Sequence, residues 1–183
     1  PSRPRRGGAA RWRERDSAVA GDAEAAHALR FALDHLNGAA NPEDENVSIA
    51  ARALTGADYH GHVFWDTEIF LLPFYTLTWP EAARALLTYR FHTLDGARAK
   101  AKRMGWRGAM YAWESAGTGA ETCPEHAIGP DRRVVDILCG TPEPHISAVV
   151  ASARWPHWEA TADDAFLGHA GAGIRPGTCA LSS

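Results

Sequence analysis

Two tryptophan–carboxylate pairs stand out in the sequence: Trp65-Asp66 in the run FWDTE and Trp113-Glu114 in the run YAWES. An indole face can lie against the apolar C–H side of a pyranose ring. A carboxylate beside it accepts hydrogen bonds from hydroxyls in the ring plane. Each pair also has an ordinary structural use. Asp66 stands where it can cap a helix and Trp65 where it can anchor a core. Trp113-Glu114 falls in a glycine-rich loop, the kind of place where binding residues gather on a scaffold. Glu143 and His145 form a third polar cluster ahead of another helix, although an acid in a first helical turn also simply complements the dipole. His60 and His62 make an H-x-H pair, but with no third ligand at recognisable spacing no metal is assigned. No G-x-S-x-G, P-loop or dinucleotide fingerprint occurs.

The elements that must position these residues read as helices. Asp22 can cap a helix carrying Ala25, Ala28, Leu29, Ala32, Leu33 and Leu36 at helical spacing, with Asn37-Gly38 as its stop. A second helix is expected from about Asp66 through Ile69, Phe70, Leu72, Phe74 and Leu77, kinked or shortened by Pro73. Thr78 is expected to cap a third, with Pro80 in its first turn. Its path runs through Ala83, Leu86, Leu87, Arg90 and Leu94, and Arg98, Lys100, Lys102 and Arg103 lie on later, solvated turns. The stretch 104–141 is irregular and rich in glycine, and a loop of that length inside a domain is functional or disordered. Helical composition returns from Ile146 to Trp158, and Asp163 can cap a last short helix. Strand-like alternation is confined to hints at Val134-Val135 and Ile137-Leu138. The class is all-α, with long irregular loops.

Composition excludes several functions. With 45% hydrophobic residues, 22% charged and a formal net charge of −3 over 183 residues, nothing draws the whole chain to nucleic acid or membrane. No apolar run approaches spanning length. Cys123, Cys139 and Cys179 are widely spaced and fit neither a disulfide framework nor a zinc pattern, so a reducing cytoplasm is the expected setting. Residues 1–21, with Arg3, Arg5, Arg6, Arg11, Arg13 and Arg15, read as a basic linker-like segment. Residues 22–170 read as the folded domain and 171–183 as an aberrant tail rich in Gly, Pro and Ser.

The run from Ser48 to Phe74, SIAARALTGADYHGHVFWDTEIFLLPF, closely resembles the catalytic-domain signature of glycoside hydrolase family 65, which holds maltose, trehalose and kojibiose phosphorylases and related hydrolases. The resemblance continues through YRFHTLDGARAKAKRMGWRGAMYAWESAGTG and EHAIGPDRRVVDILCGTPEPHISA, from about Asp22 to Asp164. It implies an (α/α)6 barrel, incomplete here, with the loops at one end forming the site. It also implies that Trp65 and Asp66 bind the non-reducing glucose and that Trp113 and Glu114 form another part of the sugar wall. Glu143 and His145 are further candidates for substrate contact.

Chemistry in the family inverts the anomeric centre: an acid protonates the departing oxygen while a nucleophile attacks from the opposite face. The resemblance places the general acid and the phosphate seat further along than this chain reaches. No catalytic residue is therefore assigned, neither Glu68, Glu114 nor Glu143, and the chain is expected to be a fragment inactive alone. No cofactor is expected; inorganic phosphate would be a co-substrate and an α-glucoside disaccharide the partner, with a homodimer as the family's usual assembly. Three features depart from the pattern: Val149 where an acid is usual, Pro156 inside a helix, and Pro142 and Pro144 flanking Glu143. A non-catalytic sugar-binding module and a helical interaction domain are the competing readings.

Overall fold

A computed structural model of the chain describes residues 19–56, 58–141, 143–173 and 179–180, with side chains as far as residue 168. Most of the expected basic segment 1–21, most of the expected tail 171–183, and Pro142 lie outside the described residues. The chain divides into two units, Pro1–Ala40 and Asn41–Ser183. Among the described residues no helix is long and apolar enough to cross a membrane.

The described part of the first unit is helix α1, Ala23–Ala39, whose N-cap Asp22 accepts the Ala25 amide at 2.9 Å. The cap stands where the sequence places it. The helix runs through Asn37-Gly38, however, and ends only at Ala40, which is extended.

In the second unit, strand β1 (Val63–Phe64) leads into a π-helical turn, Thr67–Leu71, and then α2, Leu72–Thr78. Pro73 lies in the first turn of α2. It has no N–H to give back to the preceding turn, and the wider turn before it absorbs the break. Thr78 does not cap the next helix: its hydroxyl donates back to the Phe74 carbonyl at 2.7 Å, and Trp79 is the N-cap of α3, Pro80–His92. Pro80 holds the first helical position, where a missing amide costs nothing.

The helix expected to continue past Leu94 is in fact two. Thr93 sits at φ −91°, ψ 7°, and its hydroxyl donates to the carbonyls of Tyr89 and Arg90 at 3.0 and 3.3 Å, competing with the helical ladder. Gly119, at φ +69°, packs so close to Thr93 that a Cβ would come within 2.5 Å of it. Helix α4, Leu94–Arg103, then starts afresh, and Gly96 leaves room for the backbone of Thr118 and Gly119. Lys100 is not solvated as expected. It is 2% exposed, and its partner belongs to the site described below.

The irregular stretch carries short antiparallel pairs. Strand β2 (Arg107–Gly108) pairs with β6 (Cys179–Ala180), β3 (Glu114–Ser115) with β1, and β4 (His126–Ile128) with β5 (Val134–Asp136). The strand hint at Val134-Val135 is borne out in β5. Helix α5, Pro144–Thr161, closes at the left-handed Ala162, and Asp163 caps α6, Asp164–Gly173, by accepting the Phe166 amide at 2.9 Å. Arg84 joins these parts by reaching Asp163 at 3.2 Å and Glu45 at 2.8 Å.

Pro156 lies inside α5, as the sequence requires. Its neighbour His157 is 1% exposed, stacks edge-on to Phe166 at 5.5 Å, and has no hydrogen-bond partner on either ring nitrogen among the described residues. Burial lowers its pKa from the usual 6.5; Asp163 opposes the shift and Arg84 adds to it. The unfolded chain therefore takes up the proton first as pH falls. This contribution to stability is whole above about pH 6.5 and is lost below it, until the lowered native value is reached. Urea denaturation across pH 7.5 to 5 should show a falling midpoint that His157→Phe flattens; an equal slope in both proteins would remove His157 as the cause.

Candidate functional site

Strand β1 pairs with β3 in the register Val63 opposite Ser115 and Phe64 opposite Glu114. Continued one step, that register sets Trp65 facing Trp113. The two rings lie 5.8 Å apart at 58°. His145, at the start of α5, meets Trp65 edge-on at 5.1 Å. Two of the sequence's candidate clusters and the third one's histidine thus share one place. Both tryptophans pack on a core of Leu94, Ala97, Ala109, Tyr111, Ile146, Val150 and Ala151 while staying only partly buried. They are core anchors with an open side.

The carboxylates divide. Asp66 is exposed, and its side chain makes no capping bond at the start of the π-helical turn. The ordinary reading of Asp66 as a side-chain cap is therefore not what forms. Glu114 turns inward: its carboxylate is 2.6 Å from His62 Nδ1, with the Thr122 hydroxyl 3.3 Å from the same nitrogen. Its side chain is 9% exposed. The H-x-H pair is thus engaged through His62 with an acid, and among the described residues no cluster of three or more His, Cys, Asp or Glu forms that could hold a metal. Glu143 pairs with His145 at 3.2 Å on the rim. The Trp65 indole N–H is buried without a hydrogen-bond partner among the described residues. A donor in that state is costly unless something accepts from it.

Two buried ion pairs hold this wall, and sequence reasoning identified neither. Arg90 on α3 is 1% exposed and grips Glu68 in the π-helical turn through Nε and Nη2, each at 2.7 Å. Its Nη2 also donates to the Phe64 carbonyl at 2.8 Å, and the Tyr111 hydroxyl donates to the Arg90 carbonyl at 2.9 Å. Burial by itself would depress the Arg90 pKa, but Glu68 overrides it and the net shift is upward. Burial pushes the Tyr111 phenol up despite Arg90 nearby, so the hydroxyl stays a donor. The second pair is Lys100 with Glu121 at 2.6 Å. Glu121 also accepts the amides of Trp113 (2.9 Å), Glu114 (3.0 Å) and Cys123 (3.3 Å). The Trp113-Glu114 backbone therefore hangs from one carboxylate. A signal for Arg90 existed, because it sits on the same helical stripe as Leu86, Leu87 and Leu94 and so requires a buried counter-ion.

Residues 30–175 match the Glycosyl hydrolase family 65 central catalytic domain, and the chain belongs to that family. It is 48% identical over 158 residues to a kojibiose phosphorylase of Halothermothrix orenii, covering 85% of this chain and 20% of that one. To the kojibiose phosphorylase of Escherichia coli it is 45% identical over 163 residues, 87% of this chain and 22% of that one. A kojibiose hydrolase of Flavobacterium johnsoniae is 39% identical over 152 residues, with 83% and 21% covered. Among solved structures, a kojibiose phosphorylase-like protein from human microbiome superposes with a TM-score of 0.73 at 28% identity, over 86% of this chain and 22% of that one. The chain thus spans about a fifth of the length of the curated relatives it matches. These relatives include both phosphorylases and a hydrolase.

Removing half of the buried pair isolates its role. Glu68→Gln leaves the Arg90 charge buried without a counter-ion and is expected to cost about 3–5 kcal/mol in denaturant titration. Replacing both partners, as Glu68→Leu with Arg90→Met, should recover a large part of that loss. A single variant within about 0.5 kcal/mol of the parent would show that the pair does not hold the turn.

Proposed function

We propose that this chain supplies the glucose-binding wall of an inverting α-glucoside phosphorylase or hydrolase. Trp65, Asp66, Trp113 and Glu114 contact the non-reducing glucose, with Glu143 and His145 at the rim. The observation that carries the reading is the wall itself: two tryptophans packed on one core with His145 edge-on to Trp65, beside an Asp66 whose side chain makes no capping bond and an indole donor without an acceptor among the described residues. A sugar ring offers what this arrangement lacks, namely C–H faces for the rings and hydroxyls for Asp66. Glu114 fits the role through a second layer. Held by His62, it orients rather than sweeps, and its free lone pairs serve an adjacent hydroxyl.

In this reading the helices are part of an (α/α)6 barrel completed by polypeptide outside these 183 residues. The general acid and the seat for inorganic phosphate lie there too. The substrate is an α-linked glucose disaccharide; phosphate is the co-substrate, no cofactor takes part, and the assembled enzyme is a homodimer. The chain by itself then binds sugar without cleaving it. The family match, over a chain that spans about a fifth of its relatives' length, supports this division.

Titration of the chain with glucose and with kojibiose, followed by tryptophan fluorescence and calorimetry, tests the reading. Saturable binding is expected, weakened more than about tenfold (about 1.4 kcal/mol) in Trp65→Ala and in Asp66→Ala. No glucose or glucose 1-phosphate should be released from kojibiose with or without phosphate. A folded chain that ignores both sugars sinks the binding role, and turnover by the chain alone sinks the placement of the acid elsewhere.

A further inference from the structure

The thiols of Cys123 and Cys139 lie 3.1 Å apart, although 16 positions separate them in sequence. Their meeting is built into the hairpin between them. The β4–β5 register pairs His126 with Asp136, Ala127 with Val135 and Ile128 with Val134, and the Ile137 amide donates to the Glu125 carbonyl at 2.8 Å. Two steps further out, the same register falls on Cys123 and Cys139. Gly140 keeps the strands close there, since a Cβ on it would stand 3.3 Å from the Cys123 Cβ. Both cysteines are half-buried, and Cys123 lines a cavity of about 330 Å³ bordered by Lys100, Arg103, Glu121 and Ile137.

We propose that Cys123 and Cys139 form a reversible dithiol–disulfide pair, oxidised by a small-molecule disulfide of the glutathione class, which clasps the hairpin to the loop carrying Glu121. One protein thiolate attacks a sulfur of the small disulfide, expels one glutathione thiolate and leaves a mixed disulfide. The second protein thiolate attacks the protein-bound sulfur and expels the other glutathione. Two protein S–H bonds are lost and one S–S bond forms; one small-molecule S–S bond breaks, and both protons leave with the two glutathiones. Burial, reinforced by the contact with Cys139, pushes the Cys123 thiol up to about 12. Attack by Cys123 is therefore slow at neutral pH and quickens as pH rises.

The clasp reaches the tryptophan wall through one carboxylate. Glu121 accepts the Cys123 amide together with those of Trp113 and Glu114. Fixing Cys123 to the hairpin fixes the loop from which Glu121 holds both residues. An effect on sugar affinity would rest on the function proposed above; the disulfide and its effect on the backbone do not.

The full 183-residue chain, equilibrated across ratios of reduced to oxidised glutathione, alkylated and peptide-mapped, is the test. The expected product is an intramolecular Cys123–Cys139 bridge, lighter by two hydrogens and reversed by dithiothreitol. The bridge should form equally in Cys179→Ser, and Cys123→Ser and Cys139→Ser should stop at the mixed disulfide. Amide exchange at Trp113 and Glu114 should slow about tenfold in the bridged form. Alkylation of both thiols under excess oxidised glutathione overturns the proposal, as does a stable mixed disulfide on each or a bridge to Cys179. Unchanged exchange at Trp113 and Glu114 overturns the coupling. A reduced chain that bridges normally but binds no sugar leaves this pair standing while the proposed function falls.

Discussion

Arg90 ties several parts of the second unit together. On one side it closes a two-point bond with Glu68, which fixes the π-helical turn that follows Trp65-Asp66; on another it holds the Phe64 carbonyl at the end of β1. Its own carbonyl receives the Tyr111 and Thr93 hydroxyls. Helix α3, the strand before the site, the turn after it and the loop towards Trp113 thus converge on one residue. A fully buried ion pair gains little over a well-packed apolar substitute, because desolvating both charges offsets their attraction. What it provides instead is direction. A leucine could fill the same volume, but it would accept several rotations of the turn, whereas two parallel N–H···O bonds of 2.7 Å accept one.

The wall is therefore hung from two sides by the same chemistry. Arg90 and Glu68 fix the Trp65 side, and Lys100 and Glu121 fix the Trp113 side through backbone amides. The two-residue ladder between β1 and β3 is too short to set a register on its own. Its register is supported by the bonds from Arg90 to the Phe64 carbonyl and from the Trp113 amide to Glu121, and by the bridges Ala50–Val63 and Ser115–Glu121. The sugar-binding role proposed above would draw on this arrangement. Hydroxyl hydrogen bonds are directional and in competition with water, so a wall that had to be ordered on binding would lose most of their net gain.

The sequence made the helical class, the Asp22 and Asp163 caps and the proline at the head of α3 readable, because each depends on neighbours a few residues away. It also brought out both tryptophan–acid pairs. It could not reveal the break at Thr93 or the burial of Lys100, since both follow from partners far along the chain: Gly119 against Thr93, and Glu121 against Lys100. The lysine looked solvated because its helix is strongly basic, and only a carboxylate from a loop 21 positions away reverses that. The approach of Cys123 to Cys139 was hidden for the same reason. Their spacing carries no pattern, and only the register of a hairpin with weak alternation sets them face to face.

The inward turn of Glu114 is the feature that separates its role from that of Asp66. A carboxylate at 9% exposure, bonded to a histidine, presents a fixed acceptor; an exposed carboxylate with no capping bond can follow a ligand's hydroxyl over a range of positions. The two residues share a motif pattern but not a mechanical state. Asp66 sits in helical geometry at the mouth of a π-helical turn rather than in the extended geometry of a capping residue, and its side chain makes no capping bond. The carboxylate is therefore not tied to the amides of that turn. The irregular start is what leaves it available, and Glu68, in that same turn, is the residue through which Arg90 holds the irregularity in place.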